Sequence, residues 1–179
     1  MKTIFALLLL SISLALSACC GPTKQDPAPK PKEEPKPAAA TLDKHMAELA
    51  ARPEVNDGVV EVEHILIAFD SARRSKQTRS QDEALALTRR IYVELLGGAD
   101  FGDLKVTHTN DTGQKTRSGT YTMFDVNKGG AQAGNDFDRS QMVKAFGDTS
   151  WRLKVGEWGI ADFNETTSPF GYHIIRRVK

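Results

Sequence analysis

Two of the four histidines of this 179-residue chain lie within apolar stretches of sequence. His173 is in the middle of the closing stretch SPFGYHIIRRVK, and His64 is in GVVEVEHILIAF, residues 58–69. An imidazole can exchange a proton near neutral pH and can donate or accept a hydrogen bond. One interpretation of His173 is therefore a core histidine bonded to backbone. The other is half of a polar site that needs a partner residue.

Other side chains limit the chemistry that such a site can perform. Both cysteines, Cys19 and Cys20, lie near the N-terminus, so the rest of the chain offers no disulfide, thiol nucleophile or cysteine zinc site. The histidines include no closely spaced pair, so we expect no bound metal, and no motif indicates a cofactor. A hydrolase built on His64, His173 and Asp111 is disfavoured, because no serine or cysteine lies in a nucleophile-elbow setting.

The elements that would position the histidines follow from local patterns. Residues 58–69 are dominated by β-branched and apolar residues and predict one strand containing His64. Ser80 followed by Glu83 is a capping box, which predicts a helix that ends at Gly97. The apolar stripe of this helix consists of Ala84, Leu87, Ile91 and Leu95.

The remaining sequence predicts a mixed fold. Further elements are a helix at residues 100–107, a strand at 119–124, a loop at 125–139, a helix at 140–146, and strands at 155–163 and 170–178. Because strands and helices do not alternate regularly, we expect an α+β domain with a mainly antiparallel sheet over residues 58–179. Residues 41–57 predict a short amphipathic helix, with Thr41 as its N-cap, and a connector.

The first forty residues predict export and lipid attachment. Residues 1–18 contain an apolar run of signal-peptide length, and the sequence LSAC at 16–19 resembles a bacterial lipobox. Cleavage would leave Cys19 to be acylated with a fatty acid such as palmitate. Residues 19–40 would then be a lipidated N-terminus and a proline-rich tether, which at about 3.1 Å per residue spans roughly 60 Å. A secreted soluble protein and a proline-rich ligand segment are the alternatives.

The same segment predicts the location of the protein. Cys19 is followed by Cys20 and not by aspartate. By analogy with the sorting pattern of some bacteria, this favours lipid anchoring in the outer membrane, facing the periplasm. The predicted location is therefore the bacterial cell envelope, with a lipid membrane as one partner.

The overall charge argues against one class of partner. The chain has 24 lysines and arginines and 23 aspartates and glutamates. Nucleic-acid binding requires a strongly basic face or stripe. This balance gives no support for a nucleic-acid partner.

Five stretches carry a resemblance to a known family: VEHILIAF, DEALALTRRIYVELLGGADFGDL, THTND, QMVKAF and PFGYHIIR. In order and spacing they resemble the parvulin-type peptidyl-prolyl cis/trans isomerases over about residues 59–178. The resemblance implies a four-stranded, mainly antiparallel sheet wrapped by about four helices, with the first and last strands together in the middle. It also implies that His64 and His173 lie side by side as one hydrogen-bonded unit beneath a bound peptide.

The resemblance further implies a substrate pocket. Met142 and Phe146 match the residues that hold the proline ring in the family, and Tyr121 falls where the family usually has leucine. Taken alone, Met142 and Phe146 are four apart on one predicted helical face and would be interpreted as core. Asp111 falls where parvulins carry cysteine or aspartate facing the histidine pair. By itself, an aspartate after an asparagine indicates a turn.

The implied activity is rotation about X-Pro bonds, which breaks no covalent bond and needs no cofactor. Amide resonance opposes the rotation with a barrier of roughly 18–20 kcal/mol. Twisting the amide in an apolar pocket that excludes water would lower this barrier. We expect a monomer that acts on proline-containing unfolded or exported polypeptides. A non-catalytic chaperone or peptide-binding lipoprotein remains the alternative, because residues 118–122 and the long segment 125–139 depart from the family pattern.

A basic loop follows the first predicted strand. Arg73, Arg74, Lys76 and Arg79 occupy the region that grips an acidic residue before proline in phosphate-directed relatives. Arginine clusters suit such recognition. An ordinary solvated surface is the alternative. The segment 125–139 presents a similar choice, because it either overhangs the cleft or is a passive insertion.

Overall fold

The computed structural model describes residues 36–116 and 118–179. This part of the chain forms five strands: β1 (Val59–Ile67), β2 (Tyr121–Phe124), β3 (Phe137–Asp138), β4 (Trp158–Ala161) and β5 (Tyr172–Arg177). It also forms four α-helices: α1 (Lys36–Ala51), α2 (Gln81–Leu96), α3 (Phe101–His108) and α4 (Lys144–Arg152). The predicted signal peptide, the lipobox at Cys19 and most of the proline-rich tether lie outside the described residues.

The strands form one sheet in the order β3-β2-β1-β5-β4. All pairings are antiparallel except the one between β2 and β3, which is parallel and brings Met123 beside Phe137. The predicted α+β class and mainly antiparallel sheet are confirmed, and β1 and β5 lie side by side at its centre. The two-residue strand β3 extends the expected four strands to five.

The two faces of β1 pack against different parts of the molecule. Successive strand residues point to opposite faces of a sheet. Ile65 and Ile67 therefore pack with α2 and α3 in one core, whereas Val60 and Val62 pack with Trp151 of α4 in another. Toward the end of β1, the second face carries His64 and borders an open cleft.

Local signals fix the ends of α2 as predicted. Ser80 accepts a hydrogen bond from the Glu83 backbone, and the Glu83 side chain accepts one from the Ser80 backbone. This is the reciprocal capping box. At the other end, the Gly97 N–H donates to Val93 and Leu95 carbonyls.

Two helices begin elsewhere than predicted. Helix α1 begins at Lys36, so Thr41 lies within the helix and is not its N-cap. The prediction of a helix at residues 140–146 is also wrong. A 3₁₀ turn occupies Arg139–Gln141, and α4 begins only at Lys144. Met142 lies between the two, so Met142 and Phe146 do not share a helical face.

No α-helix in residues 36–116 and 118–179 has the length and apolar character needed to cross a membrane. Helix α1 instead packs against α2, α4 and β4. Its Leu42 and Leu49 are buried in the two cores. The residues of α1 are therefore integral to the folded domain.

Candidate active site

The central pair of strands brings the two buried histidines together. His64 is aligned with Ile175 and His173 with Leu66, so the two imidazoles are diagonal neighbours on one face of the sheet. Their ring centroids are 5.5 Å apart. Gly171 (φ 136°) permits this approach, because a Cβ at that position would lie 2.3 Å from the Ile67 carbonyl oxygen.

Asp111 contacts one histidine of the pair. Its Oδ2 lies 3.4 Å from His64 Nε2 and accepts a hydrogen bond of 3.1 Å from the Tyr121 hydroxyl. Its Oδ1 accepts from the Gly113 N–H, so Asp111 is also the turn residue that its sequence context indicates. Contact with His64 is the main reason why the pKa of Asp111 is lowered from its ordinary value. A carboxylate therefore faces the histidine pair.

The second histidine, His173, is also buried. Among the described residues, both ring nitrogens of His173 and Nδ1 of His64 have no hydrogen-bond partner. The direct hydrogen bond expected between the two histidines is therefore not formed in this structure. Burial lowers the pKa of His173 to about 3, and the proximity of His64 adds to this effect. His173 is thus a neutral imidazole at physiological pH.

The segment before Asp111 is fixed to the end of β1. Thr109 Oγ1 accepts from the Leu66 N–H, and the Asn110 N–H donates to the Leu66 carbonyl. Asn110 Oδ1 accepts from both the Ala68 N–H and the Arg79 guanidinium. These bonds continue the sheet edge where β2 no longer pairs with β1, and they hold Asp111 opposite His64. The sequence patterns did not indicate this role for Thr109 or Asn110.

An apolar wall faces the histidines. Phe146 is buried, with its ring centroid 5.2 Å from that of His64 and 5.5 Å from that of His173. The Tyr121 ring lies 5.5 Å from His64. These residues and Met142 line one cavity of about 890 Å³ together with Asp111 and the histidine pair.

The basic loop forms part of the same cavity. Arg73, Arg74 and Lys76 are exposed and line it, whereas Arg79 bonds Asn110 and the Ala68 carbonyl and so has a structural role. The Arg73 N–H donates to the Pro169 carbonyl, which fixes the loop to the segment before β5. Arg74 has φ 58°, a left-handed conformation that is uncommon for a residue with a side chain.

The segment between β2 and α4 is anchored to the rest of the domain and lines part of the cavity. Arg139 forms ion pairs with Glu54, Asp125 and Asp148, and its guanidinium lies 4.7 Å from the Trp151 ring centroid. The segment also supplies Phe137, which lines the cavity and was not identified from sequence. The signal that could have indicated Phe137 is a single aromatic residue within the polar stretch AGNDFDRS.

The arrangement suits electrostatic and solvent effects on a bound peptide. No group of three or more histidines, cysteines, aspartates or glutamates is placed to hold a metal in the described ranges 36–116 and 118–179. Within the same ranges, neither histidine ring has a hydroxyl partner that would serve as a nucleophile. The cavity instead combines an apolar wall, a neutral imidazole and one carboxylate.

Comparisons with known proteins agree with this geometry. Residues 44–178 match the family described as the PPIC-type PPIase domain. The chain is 31% identical over 129 residues to the peptidyl-prolyl cis-trans isomerase Pin1 of Digitalis lanata, a match that covers 66% of this chain and 94% of that protein. It is 32% identical over 96 residues to the foldase protein PrsA 1 of Bacillus cereus, covering 54% of this chain but 27% of the foldase. The peptidyl-prolyl isomerase ESS1 from Candida albicans has a similar fold, with a TM-score of 0.52, 23% identity, and coverage of 83% of this chain and 79% of that structure.

The family match covers more than half of the chain, and the chain therefore belongs to the PPIC-type, or parvulin, family. It is a parvulin-type peptidyl-prolyl cis-trans isomerase. The predictions of family and enzyme class from the ordered sequence motifs are confirmed.

Proposed function

We propose that the cavity binds the proline of an exported or envelope polypeptide and lowers the barrier to rotation of the preceding amide. Met142, Phe146 and Tyr121 would hold the proline ring. His64, His173 and Asp111 would form the polar floor beneath the rotating bond. The observation that carries this proposal is the apolar Phe146 ring, which lies within 5.5 Å of both buried imidazoles.

The proposed mechanism depends on solvent and charge. Water stabilises the planar, polar amide, so transferring the X-Pro bond to an apolar wall favours the twisted state. Neutral His173 offers hydrogen-bonding nitrogens without a charge that would hold water in the site. The Asp111 carboxylate acts through His64, whose tautomer and orientation it can fix. Each 1.4 kcal/mol or so removed from the barrier would increase the rate about tenfold.

The proposal is tested with two methionine variants and a refolding substrate limited by a cis proline. Met142→Ala should lower kcat/KM about tenfold, because it removes part of the pocket. Met46→Ala is the matched control, since Met46 packs in the core on the other side of the sheet. Equal kcat/KM for the two folded variants would contradict the pocket. Peptide binding without any acceleration by the wild type would favour the non-catalytic chaperone alternative.

A preference for an acidic residue before proline is a second proposal about the same cavity. The supporting observation is that Arg73, Arg74 and Lys76 line one side of the cavity, where a substrate carboxylate or phosphate can reach them. Wild-type turnover of Glu-Pro peptides should exceed that of Leu-Pro peptides, and Arg74→Gln should reduce the ratio. Arg90→Gln, on the exposed surface of α2, is the control. Equal rates for the two wild-type substrates would remove the proposal.

We also propose that Cys19 is acylated and anchors the enzyme in the cell envelope, in the outer membrane facing the periplasm. The lipobox-like sequence LSAC at residues 16–19 supports this proposal. Expression with a labelled fatty acid should label the wild type and leave Cys19→Ser unlabelled. The wild type should sediment with membranes and the variant should not. Labelling of both proteins would place the attachment elsewhere.

A further inference from the structure

The segment between β2 and α4 places an exposed aromatic ring at the mouth of the cavity. Phe137 is 42% exposed, although its strand β3 pairs with β2 beside Met123. Its ring centroid lies 5.3 Å from that of Tyr121, in an edge-to-face arrangement. An aromatic side chain that is held in place and left open to solvent at the edge of a binding cleft is a candidate contact for a ligand.

Phe137 is held by fixed structure on both sides. Two residues later, Arg139 joins the segment to Glu54, Asp125 and Asp148. Earlier in the segment, Gly130 lies so close to Gly58 that an added Cβ would be 1.9 Å from the Gly58 carbonyl oxygen. The ring is therefore positioned before a substrate arrives, which lowers the entropic cost of using it as a contact.

A continuous row of rings connects Phe137 with the proposed proline pocket. The ring centroids of Phe146 and Tyr121 are 6.2 Å apart, and those of Tyr121 and Phe137 are 5.3 Å apart. An extended peptide advances about 3.3–3.6 Å per residue. A peptide with its proline at Phe146 would therefore place a neighbouring side chain on Phe137 within about three residues of the proline.

The two carboxylates beside Phe137 accept backbone hydrogen bonds within local turns. Asp136 accepts a hydrogen bond from the Ala133 N–H, and Asp138 accepts one from the Ser140 N–H. Asp136 and Asp138 are half-buried, whereas Phe137 is exposed, so the aromatic ring is the most open side chain of the three. It suits an apolar or aromatic side chain better than a basic one.

We propose that Phe137 is a specificity-determining residue that binds an aromatic or large apolar side chain of the substrate, within about three residues of the proline. This inference rests on the proposed proline pocket and extends it by one subsite. The segment between β2 and α4 would then select clients with hydrophobic residues near proline, as exposed in unfolded chains.

The test uses the full chain and proline peptides in an alanine background. One phenylalanine is placed one, two or three residues from the proline, on either side. At one or more of these positions the wild type should show a kcat/KM roughly threefold to tenfold above that of the all-alanine peptide. Phe137→Ala should reduce this ratio to about one, and Phe137→Leu should leave an intermediate ratio. Val126→Ala, at an exposed apolar residue of the same segment outside the cavity, should leave the ratio unchanged.

Several results would overturn the inference. It fails if the wild type has no phenylalanine preference at any position, or if Phe137→Ala keeps the wild-type ratio. Thermal unfolding of each variant shows whether a loss reflects misfolding, and Phe137→Leu retains the apolar packing in that case. Peptide affinities from fluorescence anisotropy separate this inference from the proposed function. A Phe137-dependent preference in binding without turnover would keep the subsite and reject the catalytic role of the cavity.

Discussion

Glu63 and His64 are consecutive residues of β1, equally buried, and they have opposite surroundings. The Glu63 carboxylate lies on the face covered by α2 and α3, where it accepts from Lys105 Nζ at 2.7 Å and also pairs with Arg176. Lys105 Nζ further donates to the Gly119 carbonyl at 2.8 Å. On the other face, His64 contacts Asp111, and the buried nitrogens of His173 have no partner among the described residues.

This difference distinguishes residues that stabilise the fold from residues that border the open cleft. A buried charge is tolerated when hydrogen bonds and an opposite charge compensate for its lost hydration. The Glu63 cluster meets this condition and connects β1, α3, β5 and the segment before β2. Buried polar groups without such compensation cost stability, and they concentrate where a ligand completes them. Changes at Glu63 should therefore alter stability, and changes at the cleft should alter activity.

The largest expected effect follows from removing Glu63. Glu63→Ala leaves the fully buried ammonium of Lys105 without its carboxylate, so the free energy of unfolding should fall by about 3–5 kcal/mol. Urea denaturation measures this loss. Glu61→Ala is the matched control on the same strand, because Glu61 is only half-buried and accepts one hydrogen bond from Thr120. At a temperature where Glu63→Ala is folded, its kcat/KM should equal that of the wild type. Similar losses of stability in the two variants would contradict the distinction.

The second effect is the pH dependence that buried His173 gives to stability. Its ordinary pKa of 6.5 applies to the unfolded chain, whereas the pKa in the folded protein is about 3. Between these values the unfolded chain binds a proton that the folded protein does not, so stability falls as the pH falls through this window. From pH 7 to pH 5 the wild type should lose about 2 kcal/mol more than His173→Leu. Urea denaturation at both pH values checks this, and equal losses would show that His173 is not buried as a neutral ring.

The third effect concerns activity and the charge of Asp111. Asp111→Asn retains the size of the side chain but removes the carboxylate facing His64, so kcat should fall about tenfold, equivalent to about 1.4 kcal/mol, with little change in KM. Asp138→Asn is a matched control, because Asp138 also caps a 3₁₀ helix through the N–H two residues later but does not line the cavity. A turn role alone for Asp111 would make the two variants equally active.

Features encoded within a few consecutive residues were predictable. The capping box of Ser80 and Glu83 fixes the start of α2 because the two residues bond each other across one helical turn. The start of α4 was missed for the converse reason. Its N-cap, Val143, makes no side-chain capping bond, and the helix is held by burial of Phe146 and Trp151. Such tertiary packing leaves no local signal.

Contacts in the site between distant segments of the chain could be predicted only from the family resemblance, or not at all. His64 lies near the beginning of the domain sequence and His173 near its end, and no periodicity indicates that their strands pair. The start of α1 was predicted too late because Thr41 has the character of an N-cap, while Pro37 in the first turn and the three following alanines permit an earlier start. Phe137 was missed because its segment has no periodicity at all.

The smallest expected effect comes from removing the hydrogen bond between Tyr121 and Asp111 within the cleft. Tyr121→Phe keeps the ring beside His64 and Phe146 but removes the hydroxyl that donates to Asp111 at 3.1 Å. That bond helps to lower the pKa of Asp111, so its loss should raise this pKa and move the acid limb of the kcat/KM profile to higher pH. At neutral pH the rate should fall about twofold to fivefold, equivalent to about 0.5–1 kcal/mol.

The control for this change is Tyr121→Leu, which restores the residue usual in the family and also removes the ring. It should shift the acid limb in the same direction and in addition raise KM, since it shortens the apolar wall. If Tyr121→Phe leaves the pH profile of the wild type unchanged, the hydroxyl has no influence on Asp111. Tyr121 would then contribute only its ring, and the carboxylate would be held opposite His64 by its own turn alone.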